Sequence, residues 1–375
     1  MVEGVAMTST TATRFDEAIR RVRPIDTAWH QRAEARLDQL TKPPGSLGRL
    51  EWIATRLCAI QETITPRAAP RHIVVFAADH GVAEEGVSAY PSAVTAQMVG
   101  NFIRGGAAIN ALARAAGAHV SVVDVGVGSD IDATGDAAAF VPRRVRGGTA
   151  NFTNGPAMSE GELTAALNAG LDVADVAANE GVAVIACGEM GIGNTTAASA
   201  VTAAMLGLPA AQVTGLGTGV DDATFARKVD AVTRALATNR PGCDPFAVLR
   251  TVGGLDIAAI AGTYIGAAAH RIAVVGDGFI ATAAALVAAM MCPSFLGYWF
   301  AGHRSPEPGH ALQLRFLQQQ PLLDLGMRLG EGTGAALAMP LFSAAVAMMN
   351  DMATFESAGV DRRAEDLAEG AGRWS

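Results

Sequence analysis

Beyond about residue 70, short uninterrupted apolar runs alternate with longer stretches whose apolar positions recur at helical spacing. The runs at 73–77, 120–125, 182–186 and 272–275 predict buried strands. Between them, 92–116 reads as a long helix interrupted near Gly105-Gly106, and 160–180 as another. Residues 14–65 carry polar amphipathic patterns broken by KPPGSLG at 42–48, and 308–360 is helical again. Strands separated by helices predict an α/β fold, a parallel sheet covered on both faces with ligands at the carboxyl ends of its strands. The flanking segments 1–70 and 308–375 are expected to form a small helical lobe beside a 71–307 sheet domain, with a frayed polar tail after 361.

Composition narrows the function classes. Half of the 375 residues are hydrophobic and only 5% aromatic, so a large core must pack through alanine and the 42 glycines. A net charge of -8, without any Lys/Arg run, argues against a nucleic-acid partner. Residues 279–302 carry no charge over a membrane-spanning length, yet Pro293 splits them; they predict a buried helix and a turn, not a membrane span. The N-terminus has no apolar signal region, and Cys58, Cys187, Cys243 and Cys292 have no CxxC spacing. All four are expected as buried small hydrophobes in a reducing cytoplasm.

The most informative segment is VAVIACGEMGIGNTT at 182–196. A strand feeds a glycine-punctuated turn (Gly188, Gly191, Gly193), and Asn194, Thr195 and Thr196 open an alanine-rich helix. Free backbone N–H groups and the positive helix end then point at one spot, an anion site. Glu189 sits beside this cradle, where it would repel a phosphate unless it faces a sugar or ring. The segment predicts a nucleotide or ribose-phosphate site with a carboxylate reserved for chemistry.

Other segments add candidates. Asp79-His80 opens a loop with Ser88, Tyr90 and Gln97, a pocket wall in preference to a metal site, because no second cluster has metal-like spacing. GLGTGVDD at 215–222 is another glycine turn, with Lys228 on the following helix. It lacks the dinucleotide pattern G-x-G-x-x-G, and no Walker A sequence occurs in the chain. GHRSPEPGH at 302–310, taken alone, reads as a turn-rich surface loop. Glu331 in GEGTG at 330–334 either complements a helix dipole or, sheltered between glycines, serves as a general base.

In order along 35–355, KPPGSLGRLE, DHGVAEEGVSAYP, GEMGIGNTT, GGLDIAAIAG, VGDGF, AGHRSPEPGH and LGEGTGAALA resemble the nicotinate-nucleotide–dimethylbenzimidazole phosphoribosyltransferases. The resemblance implies a Rossmann-like domain with a small helical lobe, a homodimer, no metal and no cofactor. It implies transfer of the 5-phosphoribosyl group from nicotinate mononucleotide to 5,6-dimethylbenzimidazole, giving nicotinate and α-ribazole 5′-phosphate for cobalamin assembly. By motif, Glu331 matches the catalytic base and Glu189 a second active-site carboxylate. Gly191, Gly193, Asn194, Thr195, Thr196, Gly217 and Gly219 match phosphate and ribose contacts. Lys228, Asp277 and Ser305 match further phosphoribosyl contacts, and Ser88, Tyr90 and Gln97 the aromatic-base pocket.

Two other classes compete with this enzyme. A protein that sequesters benzimidazole or its riboside would have no use for Glu331 beside phosphate turns. A dinucleotide dehydrogenase would need the glycine fingerprint after the first strand, with an acidic residue about 20 positions on.

Overall fold

A computed structural model describes residues 13–136, 139–217, 219 and 221–361. The tail expected after 361 and residues 1–12 lie outside the described residues, apart from Asp361 itself. Six parallel strands form one sheet: β1 (Arg71–Ala78), β2 (His119–Gly126), β3 (Phe140–Pro142), β4 (Val184–Met190), β5 (Ala273–Gly276) and β6 (Trp299–Ala301). Their order is β3-β2-β1-β4-β5-β6, the Rossmann arrangement, whose direction reverses between β1 and β4. That switch point opens a crevice at the carboxyl ends of the strands, where ligands of such sheets bind.

The four predicted strands form, with β1, β2 and β4 longer than their apolar runs. β3 and β6 were not anticipated: each has three residues, too short for a periodic signal, and each lies at a sheet edge. The expected turn at Gly188 is corrected as well. β4 continues to Met190, so Gly188 and Glu189 are strand residues paired opposite Val75 and Phe76 of β1. A carboxylate on a buried strand gives no apolar pattern to read.

The 92–116 segment is two helices, Ala93–Ile103 and Ala108–Ala116, separated at Gly105-Gly106 as expected. Helix Glu160–Asn179 starts at a Ser159/Glu162 capping box and packs along helix Leu255–Ala269. A Cβ at Gly170 would lie 2.0 Å from the Ala259 carbonyl oxygen, so glycine permits that close approach. Residues 279–302 become a buried helix (Phe279–Met291), a 3₁₀ turn at Pro293–Gly297, and β6. Among the described residues, helix Thr333–Asp351 alone has the length and hydropathy of a membrane span, but 56% of its apolar window is buried inside the molecule.

Segments from the two flanking regions meet: Thr41 N–H donates to the Ala353 carbonyl at 3.0 Å, and Phe355 N–H to the Gln39 carbonyl at 2.9 Å. Helix Arg49–Gln61 packs on both Thr27–Leu37 and Thr333–Asp351. Helix Pro308–Phe316 packs instead against Phe279–Met291. Cys58, Cys187 and Cys292 are buried free thiols, whereas Cys243 is exposed, contrary to expectation. It sits in the turn before helix Pro245–Val252, on a hydrophilic loop that offers it no apolar cover.

Candidate active site

A cleft of about 370 Å³ opens at the carboxyl ends of the strands. Three inputs build its floor: the end of β4 with the 191–195 turn, the 302–310 segment after β6, and the 328–331 turn. Of the predicted residues, Glu189, Gly191, Asn194, Thr195, Gly217, Ser305, Glu331 and Tyr90 line it. Ser88, Gln97, Gly193, Thr196, Gly219, Lys228 and Asp277 do not.

The two carboxylates are held differently. Glu189 is buried, with Asn194 Nδ2 donating to its Oε2. Burial, reinforced by the nearby Asp256 and Asp277 carboxylates, raises its proton affinity well above the ordinary range. Glu331 is also raised, mainly by burial, although the Ile109 backbone N–H opposes the shift by hydrogen bonding to it. Its Oε2 has no protein partner. Gly330, Glu331 and Gly332 all have left-handed φ, at 85°, 62° and 85°, a costly conformation for the glutamate. The turn also presses on β4: a Cβ at Gly188 would fall 2.2 Å from the Glu331 carbonyl carbon.

A second group of polar atoms gathers around Gly217. Lys228 is buried, and its Nζ donates to Thr195 Oγ1 at 3.2 Å and the Gly215 carbonyl at 3.0 Å. Burial lowers its proton affinity, and Glu307 pulls in the opposite direction. Glu307 Oε1 accepts the Gly217 N–H at 2.8 Å, and Arg328 Nη1 donates to the Gly217 carbonyl at 3.3 Å. Lys228 therefore reaches the cleft through Thr195 without lining it. The helix Asn194–Leu206 begins here with Gly193 as its N-cap and no side-chain cap, so its positive end stays open.

The 302–310 segment is no surface loop: His303, Ser305, Glu307 and His310 are all buried. His310, pushed down to about 3 by burial, is neutral. Its Nδ1 accepts the Ser305 N–H at 2.9 Å, which leaves Nε2–H to donate to Thr282 Oγ1 at 3.1 Å. This fixes Ser305 against the cleft. Polar composition alone made the segment look solvent-facing.

The aromatic-base candidates separate. Tyr90 lines the cleft and is 53% exposed, while Ser88 accepts the Tyr90 N–H at 3.1 Å from behind. Gln97 is an exposed residue of helix Ala93–Ile103, whose Val94 and Met98 line the cleft instead. Met98, Met190, Glu307 and Arg328 were missed in the sequence. Helical spacing from Tyr90 and Val94 marks Met98, and proximity to GEGTG marks Arg328. The Asp79-His80 pair serves structure: Asp79 Oδ2 accepts the Gly128 N–H at 2.7 Å, and His80 pairs with buried Asp256 at 3.2 Å. Among the described residues, no group of three or more His, Cys, Asp or Glu is placed to hold a metal.

A helix N-terminus without a side-chain cap, nearby Lys228 and Arg328, and sheltered carboxylates at a Rossmann switch point have the chemistry to hold a phosphorylated sugar. A family model described as phosphoribosyltransferase matches residues 22–360. A nicotinate-nucleotide–dimethylbenzimidazole phosphoribosyltransferase of Geobacter metallireducens is 52% identical over 351 residues, 93% of this chain and 99% of that protein. One of Chloroflexus aggregans is 51% identical over 350 residues, 93% of this chain and 98% of that protein. The crystal structure of CobT from Thermus thermophilus superposes with a TM-score of 0.85 at 52% identity, covering 89% of this chain and 99% of that one. The chain belongs to the nicotinate-nucleotide–dimethylbenzimidazole phosphoribosyltransferase family.

Proposed function

We propose that the chain transfers the 5-phosphoribosyl group of nicotinate mononucleotide to 5,6-dimethylbenzimidazole, releasing nicotinate and forming α-ribazole 5′-phosphate. The observation that carries this is the meeting, in one cleft, of the Glu331 carboxylate and the Thr195–Gly217–Arg328 cluster backed by Lys228. The cluster and the open helix end bind the phosphate. Tyr90, Met98 and Met190 offer the apolar surface a flat neutral base requires.

The donor's glycosidic nitrogen is a pyridinium, so nicotinate leaves with a neutral ring nitrogen and needs no general acid. One benzimidazole nitrogen attacks the anomeric carbon from the opposite face, inverting β to α. The N–H on its other nitrogen becomes acidic as that bond forms, and Glu331 accepts the proton. Glu189, tied to Asn194, orients the reacting groups beside it. Ser305, Gly191 and Asn194 complete the sugar's surroundings.

Incubating the purified chain with nicotinate mononucleotide, with and without dimethylbenzimidazole, tests the reading. Equal amounts of nicotinate and riboside phosphate, formed only with the base, are expected. Binding of the base without nicotinate release would overturn it. The same reading includes a homodimer in the cytoplasm, and analytical ultracentrifugation of the purified chain checks the dimer.

A further inference from the structure

Asp277 stands at the end of β5, outside the cleft lining. It is 2% exposed, and three backbone groups occupy its carboxylate. Its Oδ1 accepts the N–H groups of Gly334 at 2.7 Å and Ala335 at 3.0 Å, and its Oδ2 accepts that of Gly332 at 3.2 Å. These amides belong to the turn and first helical residues that follow Glu331. His303 Nε2 approaches Oδ1 at 3.7 Å, so three amides and an imidazole surround the carboxylate.

The turn that carries Glu331 needs such an anchor. Three successive left-handed residues, one of them a glutamate, hold a shape the chain would leave if free. Helix Thr333–Asp351 has Gly332 as its N-cap and no cap from its own sequence, so Asp277 supplies the missing acceptor from another strand. On the opposite side, Gly188 of β4 abuts the Glu331 backbone. The turn is thus held between Asp277 and β4, with Glu331 in the wall of the cleft.

We infer that Asp277 is a positioning residue: it fixes the Glu331 turn, and through it the proton acceptor, without touching the phosphoribosyl group. The inference rests on the reading of Glu331 as the base. It makes a kinetic signature distinct from that of a substrate contact. A displacement of the base by about 1 Å costs on the order of 10²-fold in rate. Phosphate affinity, set around Gly217, is left intact.

The test is a double-mutant cycle of Asp277→Asn with Glu331→Gln, following kcat and the KM for nicotinate mononucleotide. Asp277→Asn is expected to lower kcat by about 10²-fold, with KM changed less than about twofold, and to add less than about threefold in the Glu331→Gln background. A rise of about tenfold in KM with kcat preserved would make Asp277 a substrate contact and overturn the inference. So would losses that multiply in full. Asp277→Ser, whose hydroxyl retains an acceptor, is the second variant; failure of both to fold would assign Asp277 to the fold at large and overturn its specific role. Wild-type turnover is measured first. Its absence would sink the proposed function, whereas normal turnover with an indifferent Asp277→Asn would sink this inference alone.

Discussion

Two helices begin at the edge of the same cleft, and their N-termini are treated in opposite ways. Helix Asn194–Leu206 and helix Thr333–Asp351 each follow a glycine turn, and each has a left-handed glycine as N-cap. Neither has a side-chain cap of its own. At the second, Asp277 of the neighbouring strand end enters and accepts the exposed amides. At the first, Glu189 meets the Asn194 side chain instead of the helix amides, and Lys228 donates to Thr195, while Glu307 and Arg328 both bond the backbone of nearby Gly217. A capped terminus holds the Glu331 turn in place, whereas one without a side-chain cap is the terminus proposed to bind the phosphate. The strand ends that converge on a turn decide its use, more than the turn's own sequence.

The largest effect expected along this contrast is at the post. Glu331→Gln removes the proton acceptor and keeps the side chain's shape, so kcat should fall by about 10²- to 10⁴-fold while nicotinate mononucleotide still binds. Near-full turnover would give the base to another group. Gly188→Ala comes next, since the new Cβ would meet the Glu331 backbone at 2.2 Å and force the turn to move. It should lose about 10²-fold in kcat, and titration of nicotinate mononucleotide should show preserved affinity.

At the open terminus the expected effects are on binding. Arg328→Ala should raise the KM for nicotinate mononucleotide by about tenfold, the loss of one charge-assisted contact, with less effect on kcat. An unchanged KM would place the phosphate away from Gly217.

The smallest effect concerns stability and pH. Burial raises the proton affinity of Glu189 well above the ordinary value of 4.5. Its protonated form therefore stabilises the fold below that value, and this contribution is lost as pH rises through the raised one. Glu189→Gln should flatten that decline, so the Tm difference between variant and wild type should grow in the variant's favour as pH increases. Thermal melts across the neutral range check it; a difference that shrinks with rising pH would contradict it.

How much of this was legible in the sequence follows the same contrast. The turn into helix Asn194–Leu206 was readable because glycines, threonines and a following alanine-rich stretch lie together within a few residues. GEGTG was readable for the same reason. Asp277 was visible as a polar residue after a strand, but its partners lie more than fifty residues away, and only the fold shows that backbone amides claim both oxygens. The 302–310 segment was misleading for a related reason: His310 and Ser305 satisfy one another locally, which lets a polar stretch be buried. Gln97 looked like a pocket residue beside Tyr90, yet the helical turn after Ser92 presents Val94 and Met98 to the cleft. The edge strands β3 and β6 left no signal because three residues cannot establish a period.

The most direct measurement is a crystal structure of the protein with α-ribazole 5′-phosphate bound. The phosphate is expected at the N-terminal end of helix Asn194–Leu206, within hydrogen-bonding reach of Thr195 and Arg328, and the benzimidazole edge facing Glu331. A phosphate seated at the Thr333–Asp351 terminus, or a base ring turned away from Glu331, would contradict it.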